Sequence, residues 1–416
     1  MTSILSRLVP IIAIGIVFNA PANAQTSLGI AESVIIAIQA NDPSVELFEQ
    51  RAKALEDRAI ADSQLPDPVF STRMQSVPLS SLDLNREGMT QLAFGVRQAF
   101  PKGKSLALTK EKRLAEALVE RHNKELRNRE ITLQTRTSWL DLYYWQQAKI
   151  ITDATRLKVL ELSEVSEANY ASGRGAAQNV LRIDLEASLL ETRLVELDRK
   201  ADMAKADLSR LIGIANAARP LPAELPQLPA LPSAQQIQSD LVKHPSIKMF
   251  DAKIAARDRD VDIAGEQYKP GFSVDAAYGI RDSRSDLGSI GISYSIPLFP
   301  KNRQDKALSA SKSMRSAALF GRDAQLLELN RQLGRTFANW SRLSERISLY
   351  ENTVLSRATD TAEAALIGYE NQTADFAELV RAELAVLDTN LTLVRLRVER
   401  AKAQAGLLFL DGENHE

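Results

Sequence analysis

Few residues in this chain have the types and spacing that chemistry requires. The run Gly103-Lys104-Ser105 has the ending of a phosphate-binding loop, but that loop also needs a small residue at position 98, where Gln98 stands. The three histidines, His122, His244 and His415, are isolated from one another, and none has a metal-ligand spacing. We therefore interpret all three as exposed or helix-capping residues.

The acidic and sulfur-containing side chains lead to the same interpretation. Carboxylates recur along helical segments beside basic residues, as in Glu196 and Lys200, which is typical of a solvated helix face. Met74, Met89 and Met249 could act as soft copper ligands, but ordinary packing is the better interpretation. The sequence thus contains no catalytic constellation and predicts a protein that is not an enzyme, with no cofactor and no bound metal.

The composition excludes further classes. The chain has 416 residues, no cysteine, 52 Lys or Arg and 53 Asp or Glu, with a formal net charge of −1. The lack of cysteine excludes disulfides, thiolate metal sites and lipid attachment through an N-terminal cysteine. A nearly neutral chain without a basic patch has no general attraction to nucleic acid, so no nucleic-acid partner is expected. The length predicts two domains or one repeated architecture.

Residues 1–24 have the pattern of a secretory signal peptide. Arg7 precedes an almost wholly apolar run over 8–18, and Ala22-Asn23-Ala24 supplies the small residues for cleavage before Gln25. A transmembrane anchor is disfavoured, because the apolar run is shorter than the roughly 20 residues that span a bilayer. No later stretch resembles a spanning helix, which leaves an exported soluble protein or a membrane protein of the β-barrel kind.

The chain contains an internal repeat, in which the second half resembles the first. Asn41-Asp42-Pro43-Ser44-Val45 recurs as Lys243-His244-Pro245-Ser246-Ile247, an offset of 202, and Phe100-Pro101-Lys102 recurs as Phe299-Pro300-Lys301, an offset of 199. The second offset then holds without a gap and pairs Arg136 with Arg335, Tyr170 with Tyr369, Leu185 with Leu384 and Gly213 with Gly412. We therefore predict a first repeat over 25–219, a Pro-rich linker over 220–233 and a second repeat over 234–416.

Proline placement and hydrophobic period predict long helices in both repeats. Prolines are absent from 103–219 and after Pro300, and these stretches are rich in helix formers with apolar residues three to four apart. The predicted helices are 44–65, 102–171 and 176–213 in the first repeat, and 246–268, 301–369 and 374–410 in the second. Each long helix is thus followed by a reversal into a shorter one.

The segments between the helices alternate with period 2, which predicts β-hairpins over 69–99 and 271–297. In the second hairpin, large apolar residues alternate with small or polar ones, and the face that carries Phe272, Tyr278, Ile292 and Tyr294 is expected to contact lipid. A soluble hairpin on a protein core would also alternate, but the small and polar opposite face favours a membrane strand. Four strands cannot close a barrel, so three copies are expected to share one of twelve strands.

This combination resembles the TolC family of outer-membrane efflux channels. The most specific marks are the Asn-Asp-Pro-Ser and His-Pro-Ser turns, the Leu65-Pro66-Asp67-Pro68 segment before the first strand, and Gln98-Ala99-Phe100-Pro101-Lys102-Gly103-Lys104 after the second. The resemblance implies a mainly α fold with β: long helical hairpins form a periplasmic α-barrel, and four transmembrane strands per protomer give a twelve-stranded barrel in a homotrimer. It also implies a location in the outer membrane, in contact with its lipid, with a periplasmic extension.

The same resemblance identifies candidate sites. Tyr170-Ala171-Ser172-Gly173 and Tyr369-Glu370-Asn371-Gln372 are similar to the family's helix reversals at the periplasmic tips, although Gln372 replaces a common glycine. The predicted adaptor-docking residues are Gly173, Arg174, Gly175, Asn371 and Gln372. In the family, acidic residues just after the second tip line the narrowest part of the tunnel. The corresponding candidates are Glu378 and Arg381, of which Arg381 occupies the position of a second family acid. Asp375 is a further candidate.

The function that follows is a passive exit duct. The resemblance implies a periplasmic adaptor and an inner-membrane efflux pump of the resistance-nodulation-division type as partners. The segments that flank the first hairpin look like those of family members that serve heavy-metal cation pumps, so heavy-metal cations are the favoured substrate. The alternative is a periplasmic coiled-coil scaffold or adaptor without channel activity.

Overall fold

The computed structural model describes residues 27–80, 87–282, 284–371 and 373–411. The predicted signal peptide and Gln372 lie outside the described residues. The fold is mainly α with one four-stranded antiparallel sheet, which confirms the predicted fold class. No helix in these ranges has both the length and the apolarity to cross a membrane.

The elements follow the order helix, strand pair, long helix, shorter helix, twice. The first part contains α1 (Ile30–Gln39), α2 (Pro43–Ala61), β1 (Val69–Gln75), β2 (Gln91–Phe100), α3 (Ser105–Ala171), α4 (Ala177–Ile212) and the short α5 (Ile214–Ala217). The second contains α6 (Ala234–Asp240), a 3-10 turn (Leu241–Lys243), α7 (Pro245–Glu266), β3 (Gly271–Ile280), β4 (Leu287–Ser295), α8 (Gln304–Leu349), a π turn (Tyr350–Val354), α9 (Leu355–Glu370) and α10 (Phe376–Leu410).

Helix α3 is the longest element and organises the others. It has 67 residues, which corresponds to about 100 Å at the rise of an α-helix. Helices α2 and α4 pack against it one after the other, and Lys124 Nζ lies 3.0 Å from Glu49 Oε2 of α2 while Lys149 Nζ lies 2.6 Å from Asp198 Oδ1 of α4. Two shorter helices thus cover the length of one long helix.

The second long helix is not uniform. A single helix was predicted over 301–369, but the structure divides this stretch into α8 and α9, joined by the π turn. A π turn bonds i to i+5 and so admits one extra residue without ending the helix. Glu351 in this turn accepts hydrogen bonds from the Arg397 guanidinium of α10 at 2.6 and 2.9 Å, so the turn is tied to its neighbour.

The largest buried cluster lies where the N-terminal segment and the linker meet α3. Leu28 and Trp139 are fully buried there. The Trp139 indole N–H donates to the Leu28 carbonyl at 3.0 Å, and the Leu28 N–H donates to the Pro220 carbonyl at 2.8 Å. The beginning of the described chain and the start of the linker are therefore fastened together against the middle of α3.

The two Pro-Ser turns of the repeat are helix N-caps. Asp42 Oδ1 accepts from the Ser44 N–H at 2.8 Å before α2, and His244 Nδ1 accepts from the Ser246 N–H at 3.3 Å before α7. Pro43 and the matching Pro245 occupy the first helical position, where no N–H is needed. Burial lowers the pKa of His244 to about 4, so its imidazole stays neutral and Nδ1 can accept.

The junction between the sheet and α3 requires a glycine. Gly103 has a φ of +51°, and the Glu266 carboxylate lies against it because Glu266 Oε2 accepts from the Lys104 N–H at 2.7 Å. A Cβ at position 103 would lie 1.7 Å from Glu266 Oε2. The Lys102 ammonium also donates to the Gln267 carbonyl at 3.1 Å, so the end of α7 fixes the direction in which α3 leaves the sheet.

The sheet has the order β1-β2-β3-β4, and its two faces differ chemically. The register pairs Phe94 with Tyr278, and Val274 with Ile292. Alternation and this register place on one face Phe70, Phe94, Val96, Phe272, Val274, Tyr278, Ile290, Ile292 and Tyr294, and on the other Ser71, Arg73, Gln91, Arg97, Ser273, Asp275, Ser289 and Ser293. Each unit contributes one hairpin, and β2 and β3 join the two hairpins.

The two faces predict opposite responses to the same substitution. We expect Ile292→Arg to cost about 2–4 kcal/mol if this position lies near the middle of a bilayer, because an arginine on a lipid-facing strand must be desolvated. Ser293→Arg, on the next residue but the opposite face, should be tolerated. The measurement is the amount of each variant assembled in the membrane fraction, and equal losses would show that the faces are wrongly assigned.

Candidate functional site

The four residues predicted to contact lipid lie on one face of the sheet. Phe272 is paired with Tyr294 in the ladder, and the Phe272 ring stacks on Phe100 of β2 with 4.7 Å between centroids. Tyr278 and Ile292 lie further along the same face, and all four side chains are exposed in the protomer. The structure therefore brings these residues together as one apolar surface.

The opposite face carries an ion pair that sequence reasoning missed. Arg97 of β2 lies directly across from Asp275 of β3, and Arg97 Nη2 is 3.7 Å from Asp275 Oδ1. Both side chains are more than a third exposed, so the pair adds little stability and mainly keeps this face polar. The ion pair could have been predicted from the sequence, because an alignment of β2 with β3 places the two charges opposite each other.

The first predicted tip is a tight reversal between α3 and α4. The N–H groups of Arg174 and Gly175 both donate to the Asn169 carbonyl, at 2.9 and 3.0 Å. Gly173 has a φ of +74°, a conformation that glycine adopts without steric cost. Arg174 is exposed at the end of the hairpin, and its Nε donates to Ser172 Oγ at 3.0 Å.

The second tip repeats the same backbone bonds. The N–H groups of Thr373 and Ala374 donate to the Gly368 carbonyl at 2.8 and 3.0 Å, and Asn371 is exposed beside them. Gln372, which matches Gly173 in the repeat, is outside the described residues. The predicted reversal is therefore present although its sequence lacks the glycine at that position.

At each tip two facing positions of the turn are too close together for both to carry a Cβ comfortably. At the first, a Cβ on Gly175 would lie 3.2 Å from Asn169 Cβ; at the second, a Cβ on Gly368 would lie 2.8 Å from Ala374 Cβ. Position 169 matches 368 and position 175 matches 374 at the offset of 199. Each pair has one glycine where a second Cβ would be crowded, and the two units place this glycine on different sides of the turn.

The tips lie side by side at the end of the molecule far from the sheet. Asn169 Nδ2 donates to the Tyr369 hydroxyl at 3.0 Å, which joins α3 to α9. The Tyr369 ring packs on Phe376 with centroids 5.3 Å apart, and Phe376 is almost fully buried at the start of α10. Sequence reasoning noted Tyr369 only as part of a turn and missed this link between the two units.

The predicted constriction residues begin α10. Glu378 and Arg381 lie one turn apart, with Arg381 Nη1 2.9 Å from Glu378 Oε2, and both side chains are at least half exposed. Asp375 precedes the helix as its N-cap, and its carbonyl accepts from the Glu378 N–H at 3.0 Å. Like Glu378 and Arg381, it is exposed.

Within the described ranges, no group of three or more His, Cys, Asp or Glu side chains could hold a metal ion. Met74 lies on the apolar face of the sheet, across from Leu92, and is exposed together with Met89.

Solved structures with the same fold are outer-membrane proteins. VceC from Vibrio cholerae aligns with a TM-score of 0.78 at 17% identity, over 93% of this chain and 97% of that one. CusC, whose structures were described in connection with transmembrane channel formation, aligns with a TM-score of 0.77 at 15% identity, over 94% of this chain and 93% of that one. The outer-membrane channel OprN aligns with a TM-score of 0.77 at 19% identity, over 92% of this chain and 90% of that one. No curated protein matches the chain in sequence.

A family model matches the second half of the chain. Residues 236–413, nearly the whole second repeat, match the model of the family described as outer membrane efflux protein. Proteins of this family are transport channels and not enzymes. The second half of this chain is thus similar to the outer membrane efflux protein family, in agreement with the resemblance seen in the sequence.

Proposed function

We propose that this protein is the passive exit duct of a tripartite efflux system, in which a periplasmic adaptor and an inner-membrane pump supply substrate and energy. The observation that carries the proposal is the placement of two surfaces at opposite ends of α3: a sheet with one apolar and one polar face, and a pair of exposed helix reversals. Such a chain can contact lipid at one end and a periplasmic partner at the other. It needs no reactive centre.

The edges of the sheet favour a homotrimer. Strands β1 and β4 each have a neighbour on one side only, and unpaired backbone groups are very unfavourable in hydrocarbon. Antiparallel pairing of β4 with β1 of another copy would satisfy both edges. Three copies would give twelve strands, with the polar face inside and the apolar face toward lipid.

The helices provide an independent argument for the same assembly. Helix α10 packs against α3 on one side and against α8 and α9 on the other, whereas α4 packs mainly against α3. As a result Leu185 of α4 is 58% exposed, while its match in the repeat, Leu384 of α10, packs against a buried cluster. The repeat therefore predicts that α8 and α9 of a second copy cover α4 as they cover α10.

The free face of α4 has the composition of such a contact. Leu181, Leu185 and Leu189 are exposed at helical spacing and form an apolar stripe opposite the side that packs on α3. Helices α8 and α9 expose apolar side chains in turn, including Leu349 and Ile367. A stripe of this kind on a helix more often marks a protein contact than a water-exposed surface.

The tips are the proposed docking site of the adaptor. They are exposed, small in cross-section and held in a fixed shape by the backbone bonds to Asn169 and Gly368. Arg174 and Asn371 project where a helical partner would approach, and Gln372 is part of the same proposal from its place in the sequence. Rigid, exposed reversals can be bound without ordering a flexible loop, which lowers the entropic cost of association.

The Glu378–Arg381 pair, with Asp375 beside it, is the proposed constriction of the duct. Three carboxylates around an axis repel one another and attract cations, and three adjoining guanidinium groups offset this field. Because the pair is exposed in the protomer, its contribution to stability is under about 1 kcal/mol. Its proposed role is therefore in conduction rather than in folding.

The proposed substrates are heavy-metal cations, delivered by a resistance-nodulation-division pump. This rests on the Leu-Pro-Asp-Pro segment before β1 and the Phe-Pro-Lys-Gly-Lys segment after β2, which resemble those of channels that serve metal pumps. Gly103 and Glu266 give the second segment its conformation. These segments bear on the class of pump.

The first prediction tests assembly. We expect Leu185→Asp to abolish the heat-resistant trimer in detergent extracts, because a charge in the covered stripe would be buried against α8 and α9 of the next copy. Ile214→Asp adds the same charge at an exposed apolar position outside the stripe and should leave the trimer intact. A wild-type protein that runs as a soluble monomer would exclude the duct and favour a periplasmic scaffold.

The second prediction tests the constriction. Glu378→Ala combined with Arg381→Ala should raise single-channel conductance in a planar bilayer and weaken block by multivalent cations, because both long side chains and the carboxylate ring are removed. Glu363→Ala, an exposed acid of α9, is the control and should change neither. If conductance and block stay the same in the double variant, the narrowest point lies elsewhere.

The third prediction tests docking and substrate together in cells. A deletion strain should become more sensitive to heavy-metal cations than to dyes, and the wild-type gene should restore resistance.

Arg174→Trp should fail to restore resistance while still forming membrane-inserted trimers, because a bulky ring at the tip blocks the adaptor. Restored resistance would place docking elsewhere, and sensitivity to dyes alone would exclude the metal assignment.

A further inference from the structure

A cavity of about 910 Å³ lies between the linker and helices α3, α8 and α10. The linker forms its roof and is held at both ends: the Tyr143 hydroxyl donates to the Ala223 carbonyl at 3.0 Å, and Gln404 Nε2 donates to the Pro229 carbonyl at 2.8 Å. Between these points the linker arches over the helices. The cavity is thus kept open by hydrogen bonds at its rim.

Arg400 is the hydrogen-bond donor that this cavity leaves without an acceptor. It lines the cavity, is half-buried, and forms no ion pair or hydrogen bond with any described residue. Trp340 also lines the cavity, but its Nε1 has almost no accessible surface. A guanidinium without an acceptor would gain from an acceptor-bearing ligand.

The other charged groups of the cavity leave Arg400 available. Arg397 is fully engaged, since its Nε and Nη2 both donate to Glu351 Oε1, at 2.9 and 2.6 Å. Glu224, the remaining acid, is on the linker and exposed to solvent. The half-buried positive charge of Arg400 is therefore the dominant unneutralised feature of the inner wall.

The duplication supplies an internal comparison. At the offset of 199, the positions that match Trp340, Glu351 and Arg400 hold Asp141, Thr152 and Ala201. The first unit has neither the donor set nor the π turn, because α3 continues without interruption through the matching stretch. The arrangement is thus a feature of the second unit and not a by-product of the shared helix packing. A π turn beside a cavity is a frequent companion of a functional site.

We propose that this cavity binds an organic carboxylate with an aromatic or alkyl body. The planar guanidinium of Arg400 matches a carboxylate in two-bonded geometry. Tyr143, Leu225 and Ile347 form apolar walls for the body of the ligand. The volume is that of a small-molecule site, and a bound ligand would hold the linker against α8 and α10.

The test uses the full-length, detergent-purified protein and isothermal titration calorimetry with 1-naphthoate. Its neutral analogue 1-naphthylmethanol has a similar ring system but no carboxylate. We expect saturable binding of 1-naphthoate and at least tenfold weaker binding of the alcohol. Arg400→Gln should weaken 1-naphthoate binding at least tenfold.

Arg342→Gln is the matched control, because Arg342 is an exposed arginine of α8 whose partner, Glu345, lies outside the cavity. It should bind 1-naphthoate as the wild type does. The proposal is overturned if the wild type shows no saturable binding, if the alcohol binds equally well, or if Arg400→Gln binds like the wild type. Should Arg400→Gln fail to assemble, the comparison of the two probes on the wild type decides alone.

Discussion

Backbone N–H and C=O groups cannot remain unpaired in hydrocarbon, and a sheet of four strands has two edges on which they are unpaired. Most of the architecture can be traced to this constraint. Both units must deliver a hairpin to the same place, so the chain has to travel back along the full length of α3 between β2 and β3. It does so in two stages, through α4 and then α7, and this is why the linker and Leu28 meet at the middle of α3.

Helices α2 and α7 begin at matching positions of the repeat. Each needs acceptors for its first N–H groups, and the side chains of Asp42 and His244 each accept one of these bonds. The chemistry differs: a carboxylate accepts at any pH above its own pKa, whereas the imidazole accepts because burial keeps it neutral. The same backbone geometry is thus reached with two different acceptors.

Much of the fold could be inferred from the sequence because the two halves of the chain repeat the same pattern of helices and strands. Helix ends near Pro43, Pro245 and Ala171 follow from proline and glycine, whose effects are local. The π turn at Tyr350–Val354 could not be inferred, since the hydrophobic period around it is that of an ordinary helix. Helix α1 was missed although Ile30, Val34 and Ala37 have helical spacing. The cavity depends on where the linker passes, which no local pattern contains.

The π turn leaves the inward-facing positions near the two tips unchanged. The stretch from Gln304 to Glu370 has as many residues as α3. Ala362 and Ala365 of α9 are buried, and so are Ser163 and Ser166, which match them in α3 at the offset of 199. The two hairpins therefore bury matching positions near their tips, although only the second contains the turn.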